Sequence, residues 1–215
     1  EREAITRGGF LAKGIHDPVN QETPYSAISS ALSDLLKQLL SRPDFTIRKK
    51  AIQKKLIGLE EPLSTMVPYV AHFIDYIPSG MKLAATDAKP RLLRGIIALI
   101  STICDGKTPL VISLDNLQWI DSASIDLFDE LFTRTQLPFV MLLGAYRLPA
   151  LETKEQIGIQ IQNLRKRSPS LELLRVENLS IGCVNRLISE SLFRAEEETI
   201  EFAKLVLEKT CGNPL

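Results

Sequence analysis

The sequence predicts an α/β domain with a mainly parallel sheet, because short apolar segments alternate with longer helical patterns along the chain. Leu110–Leu114 and Phe139–Leu143 are each almost entirely apolar, which is typical of strands that are buried on both faces. The composition agrees, since 45% hydrophobic and 24% charged residues are proportions that disordered chains do not reach. A chain of 215 residues is long enough for one large domain, or one and a half.

The other elements follow from local patterns. Gly9–Ala12 predicts a first strand. One apolar face at Ile28, Leu32, Leu35 and Leu39 then predicts a helix. A basic helix is predicted at 47–57, and a further helix at 92–103 ends before Asp105-Gly106. The next predicted helix has Asp121 as its N-cap, and its inward-facing residues are Ile125, Phe128, Leu131 and Phe132. The last predicted elements are a helix at 152–165, a strand at Leu171–Val176, and helices at 181–193 and 197–210 with Gly212 as a C-terminal cap.

Charge and cysteine content exclude several classes of protein. The chain carries 26 Lys and Arg against 26 Asp and Glu, so it lacks the strongly basic balance of a general nucleic-acid binder. The three cysteines are far apart, which argues against a disulfide framework and a zinc site and favours a reducing, cytoplasmic location. The longest apolar stretch, Leu92–Cys104, contains Arg94 and is too short to span a bilayer.

The most informative segment runs from Pro109 to Asp121. Asp115 follows the buried strand directly, so its carboxylate is expected at the carboxyl edge of the sheet, where ligands bind in open α/β folds. In P-loop nucleotidases an acid at this position holds magnesium. A strand that merely ends in an Asp-Asn turn gives the same pattern, so these residues alone leave both interpretations open. Trp119 is expected to pack in the core behind the strand.

Four motifs follow one another along the chain: Gly8–Ala27 with Pro24-Tyr-Ser-Ala, Leu114-Asp-Asn-Leu-Gln-Trp-Ile-Asp121, Leu143–Arg147 with Gly-Ala-Tyr-Arg, and Gly212-Asn-Pro214. In this order they resemble the AAA-type ATPase domain of the STAND class, the signal-transducing P-loop ATPases of multidomain kinases and cyclases. The second motif is similar to the Walker B signature of that class, L-D-D-L-[HQ]-W-A-D. The resemblance covers nearly the whole chain.

This resemblance implies a three-layer P-loop NTPase-type parallel sheet with a helical insertion at residues 15–108 between its first two strands. Residues 109–179 would hold the Walker B strand and the strands after it, and 180–215 the C-terminal helices. Asp115 would bind Mg²⁺, Arg147 would sense the terminal phosphate of ATP, and Pro214 would approach the nucleotide. The expected partners are ATP or ADP and other domains of the same polypeptide, with a kinase, cyclase or DNA-binding output, and without direct binding to nucleic acid.

The chain departs from that family at two places. Asn116 stands where the family has its second acid, and an amide cannot accept the proton of an attacking water, so hydrolysis is expected to be slow or absent. The Walker A pattern G-x-x-x-x-G-K-[ST] does not occur in the 215 residues. Gly106-Lys-Thr108 imitates its end, but a helix precedes it and a strand follows, so it is expected to be a turn.

The sequence therefore predicts an ATP-binding regulatory switch with slow turnover, cut from a longer polypeptide and seen without its P-loop strand. In the family that strand lies between the strand that ends near Arg147 and the strand at 171–176, so a gap one strand wide is expected there. The alternative is a scaffold that joins signalling domains and no longer binds nucleotide. Asn116 favours the scaffold, whereas Asp115 and Arg147 favour the switch.

Overall fold

The structure is a computed structural model that describes residues 6, 8–20, 23–74, 85–131, 137–147, 156–167 and 170–213. Its strands are β1 (Phe10–Ile15), β2 (Leu110–Asp115) and β3 (Val140–Gly144). Its α-helices are α1 (Ser26–Leu40), α2 (Phe45–Lys55), α3 (Glu60–Met66), α4 (Ala85–Ile103), α5 (Ser122–Asp129), α6 (Gln156–Arg167), α7 (Ile181–Leu192) and α8 (Glu196–Thr210). Short 3₁₀ turns span Pro18–Asn20, Pro68–His72 and Leu117–Trp119.

The three strands form one open parallel sheet in the order β1-β2-β3. Ile15 is paired with Asp115, and Leu114 with Gly144, so all three strands end at the same edge of the sheet. Helices connect β1 to β2 and β2 to β3, as parallel neighbours require. The α/β class and the parallel sheet that the sequence predicts are confirmed.

The core lies between one face of the sheet and the helices that follow β1. The apolar face predicted for α1 is buried, with Leu35 and Leu39 fully covered. In β2 the alternate residues Leu110, Ile112 and Leu114 join the same cluster. Helix α4 contributes Ile96, Leu99, Ile100 and Ile103, and ends where the Asp105–Thr108 turn begins. That turn confirms that Gly106-Lys-Thr108 is not a phosphate loop.

The two lateral edges of the sheet are occupied differently. On the outer side of β1, Gln38 of α1 accepts from the Leu11 amide at 3.3 Å and donates to the Leu11 carbonyl at 2.6 Å. Asp34 accepts from the Lys13 amide at 3.2 Å. On the outer side of β3, no strand pairs with it among the described residues. Side chains of α1 thus cover the β1 edge, and the β3 edge is open in the described part of the chain.

Two predictions about strands are wrong. Residues 171–180 contain no strand, and Leu174 and Val176 are 84% and 88% exposed, because a strand needs a neighbour for its backbone and no described strand pairs with this segment. The third strand is not buried on both faces either. Met141 and Leu143 are 59% and 47% exposed, since only the face that carries Val140 and Leu142 packs against the core.

Residues 1–171 and 172–215 form two separate compact units. The second unit contains α7 and α8, the two helices that its sequence predicts, and they pack as a hairpin. Thr199 donates to Asn185 Oδ1 at 2.8 Å in its buried centre, and the Leu179 amide donates to the Gly212 carbonyl at 2.8 Å. Cys211 and Gly212 both have positive φ where α8 ends, in agreement with the predicted cap.

Among the described residues, none of the helices combines the length and the apolar character that a membrane-spanning helix requires.

Candidate functional site at the carboxyl edge of the sheet

Asp115 is the last residue of the central strand, and its side chain is exposed. Its Oδ1 accepts a hydrogen bond from the Asn116 amide at 2.7 Å. No partner of Oδ2 is found among the described residues. The carboxylate therefore keeps one oxygen available at the edge where open α/β sheets bind ligands.

Asn116 turns the chain sharply away from β2. It adopts a left-handed conformation with φ 56° and ψ 45°, which asparagine tolerates better than most residues. Its Oδ1 accepts from Gln118 Nε2 at 3.3 Å, within the 3₁₀ turn Leu117–Trp119. In this position the amide can donate and accept hydrogen bonds, but it cannot act as a general base.

The segment after β3 is hydrogen-bonded to the end of β2 and to the turn that follows it. The Ala145 amide donates to the Leu114 carbonyl, and the Leu117 amide donates to the Ala145 carbonyl, both at 2.9 Å. Gly144 permits this approach, because a Cβ there would lie 2.5 Å from Leu117 Cδ1. Arg147 lies two residues after Ala145 and is exposed.

The structure thus brings three of the four predicted site residues, Asp115, Asn116 and Arg147, to the same edge of the sheet. The fourth, Pro214, lies outside the described residues. Trp119 is 40% exposed and is not part of the core, so the prediction that it packs behind the strand is wrong. The cause is the left-handed turn at Asn116, which directs the following residues out of the strand direction.

Sequence reasoning missed a polar cluster beside this edge. Asp121 accepts from the amide of Ser124 at 2.8 Å and from its hydroxyl at 2.5 Å, which confirms the predicted N-cap. Asp121 also accepts from the Tyr25 amide at 3.3 Å, and so joins the start of α1 to the start of α5. Desolvation raises the pKa of Tyr25. This contact spans 96 residues, so only the capping role of Asp121 had a local signal.

His16 directly follows β1, and its amide donates to the Asp115 carbonyl at 3.1 Å. Its side chain is buried, and Nε2 has no hydrogen-bond partner within the described residues. Burial lowers the pKa of the imidazole, and the nearby Asp121 carboxylate opposes that change only in part. Gln118 Oε1 is a second buried polar atom without a described partner. Buried polar atoms without a described partner thus occur in the segments that follow β1 and β2, which are neighbouring strands.

The donor set fits magnesium better than a transition metal. Within the described residues, no three His, Cys, Asp or Glu side chains gather into a metal site. Mg²⁺ keeps most of its waters and is held by one or two carboxylates together with substrate phosphates. A single exposed carboxylate such as Asp115 meets that requirement.

An open parallel sheet with an acid at the end of its central strand is a feature that nucleotide-binding domains share with other open α/β folds. A family model described as the AAA ATPase domain matches residues 2–143. The match covers about two thirds of the chain and includes β1, β2 and most of β3. The chain belongs to this AAA ATPase domain family. Searches of curated proteins and of solved structures gave no match.

Proposed function

We propose that the domain binds ATP with Mg²⁺ at the carboxyl edge of the sheet and acts as a regulatory switch in a larger signalling protein. The observation that carries the proposal is the exposed carboxylate of Asp115 at the end of the central strand. Membership of the AAA ATPase domain family supports ATP as the nucleotide. The STAND resemblance of the Walker B segment supports a regulatory output.

In this proposal each residue has a separate role. Asp115 holds Mg²⁺ through its available oxygen, and the metal when bound neutralises charge on the phosphates. Arg147 senses the terminal phosphate with a guanidinium that is always charged. Pro214 transmits the nucleotide state to a further helical region. Asn116 withholds a general base, so hydrolysis is slow and the ATP-bound state persists.

The open side of β3 supports a further strand in the complete sheet. We place the P-loop strand there, because the opposite edge is already covered by Asp34 and Gln38. A strand beside β3 would bring a phosphate-binding loop to the same edge as Asp115 and Arg147. The partners in this proposal are ATP or ADP and kinase, cyclase or DNA-binding domains of the same polypeptide, in the cytoplasm.

The decisive experiment replaces Asp115 by alanine in the intact protein. We expect Mg²⁺-dependent ATP affinity, measured by calorimetric titration, to fall at least about tenfold, a loss of about 1.4 kcal/mol. Thermal stability should not change, because the side chain is exposed. Asp126→Ala is the matched control, since it removes another exposed carboxylate, one that pairs with Lys89 at 2.9 Å. Unchanged affinity together with a lowered melting temperature would assign Asp115 a structural role.

A second variant separates the switch from the nucleotide-free scaffold. If the missing acid limits turnover, Asn116→Asp should raise the steady-state ATPase rate of the intact protein by roughly 10²-fold. An equal or lower rate would mean that Asn116 does not limit hydrolysis. If the intact protein binds no nucleotide in either form, the scaffold function replaces the switch, and Asn116 is the residue that favours it.

A further inference from the structure

A basic segment ends α6, and an exposed serine follows it closely. Arg165, Lys166 and Arg167 are the last three residues of the helix, and all three are exposed. Ser170 lies three residues after Arg167 and is exposed as well. The helix dipole favours cations in the last turn, which accounts for the charge but not for the serine beside it.

The spacing between the arginines and this serine occurs once in the sequence. Ser170 has arginine at the third and at the fifth position before it, Arg167 and Arg165, and no other serine or threonine in the chain has both. Protein kinases select substrates by charge patterns of this kind, because acids in the substrate groove pair with cations beside the acceptor hydroxyl. Arginine suits such a groove, since it is always charged and binds carboxylates through two N–H groups.

The chain around Ser170 is accessible to another enzyme. Residues 171–180 contain neither helix nor strand, and Leu174 and Val176 are largely exposed. Ser170 lies one residue before the end of the first compact unit, which spans residues 1–171. An exposed connection of this kind can enter the groove of an enzyme without unfolding the core of either unit.

We propose that Ser170 is a phosphorylation site for a serine/threonine protein kinase that recognises arginine before the acceptor. The Ser170 Oγ attacks the γ-phosphorus of an ATP molecule held by that kinase, and the hydroxyl proton passes to a base of the kinase. The Oγ–P bond forms while the bond from this phosphorus to the β–γ bridging oxygen breaks, and ADP leaves. The proposal does not depend on nucleotide binding by this chain, because the kinase supplies the ATP.

The added phosphate would have a cation within reach. Arg167 Nη1 pairs with Asp129 Oδ2 of α5 at 2.7 Å, and the Arg167 side chain is 47% exposed. An ion pair with this exposure contributes little and can exchange partners. A phosphoserine three residues away carries a charge of about −1.5 to −2 and three acceptor oxygens, against the single charge of Asp129. Phosphorylation therefore transfers Arg167 from Asp129 to the phosphate and weakens the contact between α6 and α5.

Mass spectrometry of the intact protein tests the site. The protein is incubated with Mg-ATP and a purified serine/threonine kinase that selects arginine at the third and fifth positions before its serine. We expect one phosphate per chain on Ser170, none in Ser170→Ala, and at least about tenfold slower transfer in Arg165→Gln, which removes one charged contact with the groove. Ser191→Ala is the matched control and should be phosphorylated as the original protein is. Ser191 is also exposed and follows Arg186 by five residues, but has no arginine at the third position.

Hydrogen exchange tests the transfer of Arg167 in the same preparations. Phosphorylation should speed exchange of the amides in the last turn of α6 about twofold to fivefold, as expected for the loss of a partly exposed ion pair. Asp129→Asn should exchange at the faster rate before phosphorylation and should show no further increase after it. Asp126→Asn removes another carboxylate of α5, one that pairs with Lys89, and should respond to phosphorylation as the original protein does.

Three outcomes would overturn the proposal. The first is the absence of phosphate on Ser170 both in the kinase reaction and in protein isolated from its natural source, where part of the molecules should carry it. The second is an unchanged rate of transfer in Arg165→Gln, which would mean that the arginines do not direct the kinase. The third is an equal increase of exchange on phosphorylation of Asp129→Asn, which would assign the effect to charge at the end of α6 and not to the transfer of Arg167.

Discussion

The two lateral edges of the sheet are built in opposite ways. At the β1 edge, Gln38 and Asp34 of α1 bond the outward backbone groups of Leu11 and Lys13. At the β3 edge, Met141 and Leu143 are exposed and no described strand is paired with the outer side. Proteins cover or charge the edges that must not pair, because an open edge is a template for another strand. The difference shows that α1 occupies the outer side of β1, whereas the described residues leave the outer side of β3 open.

The largest expected effect comes from leaving the β3 edge open. Expressed alone, the 215 residues should aggregate or remain partly unfolded, and titration with Mg-ATP should detect no binding. An open edge with unpaired backbone groups and exposed apolar side chains such as Met141 and Leu143 is a template for pairing with another chain, which leads to aggregation. Light scattering and circular dichroism during thermal unfolding provide the measurement.

A charged edge is the control for this prediction. Met141→Lys places a lysine on the exposed face of β3 and should reduce aggregation of the isolated chain without restoring nucleotide binding. Lys37→Met, which adds an apolar side chain on α1 instead, should not reduce it. A monomeric chain with one cooperative transition, or micromolar ATP binding by it, would contradict the prediction, and a folded monomer that binds no ATP would favour the scaffold.

The next largest effect is expected when the glycine of an edge strand is replaced by alanine, and β1 and β3 each contain one glycine to compare. A Cβ on Gly14 of β1 would collide with the Ala27 carbonyl, which is backbone and cannot move aside. A Cβ on Gly144 of β3 would meet only the end of the Leu117 side chain at 2.5 Å. Gly14→Ala should therefore cost about 3 kcal/mol and Gly144→Ala about 1 kcal/mol, the two ends of the usual range for overpacking. Hydrogen exchange of the β1 and β3 amides in the intact protein measures both, and equal costs would contradict this reading.

The sequence predicts the parts of this architecture that depend on local pattern. The strand at Leu110–Leu114, the buried face of α1 and the cap at Asp121 are all visible within about ten residues, and the structure confirms them. The covered edge of β1 could not be predicted, because Gln38 lies 27 residues from Leu11. The strand predicted at 171–176 from its apolar composition is wrong, since a strand also requires a neighbour to pair with.

The same limit applies to the candidate site. Asp115 could be found from the sequence because the end of a buried strand is a local signal. His16 could not, because its burial and its proximity to Asp121 arise from packing between segments that are far apart in the sequence. A tight turn that directs Trp119 outward is likewise invisible in an apolar pattern. Local patterns therefore locate the carboxylate that we propose as the metal ligand, and tertiary packing determines its surroundings.

Removing the cover of the β1 edge should have a smaller effect than Gly14→Ala. Gln38→Leu keeps the volume of the side chain but leaves the Leu11 amide and carbonyl without that partner, at a cost of about 1–2 kcal/mol. Asp34→Ala should cost no more than about 0.5 kcal/mol, because its bond to the Lys13 amide is exposed to water. Faster hydrogen exchange at Leu11 in the first variant but not the second is the expected result. Identical exchange in both would mean that Gln38 does not protect the edge.

The smallest expected effect is a loss of stability at low pH that is larger at β1 than at β3. Burial lowers the pKa of His16 below its usual value of 6.5, so the folded protein disfavours the charged imidazole that the unfolded chain accepts. As pH falls below 6.5 the unfolded state takes up the proton first, and β1 should become less stable until His16 titrates in the folded state as well. Above that window the imidazole is neutral in both states and contributes no pH dependence. Hydrogen exchange at β1 in the intact protein, measured at several pH values on each side of 6.5, should therefore reveal a loss of protection on the acid side that exceeds any change at β3. His16→Phe should abolish this pH dependence because phenylalanine does not titrate, and the same loss of protection in that variant would assign it to another group.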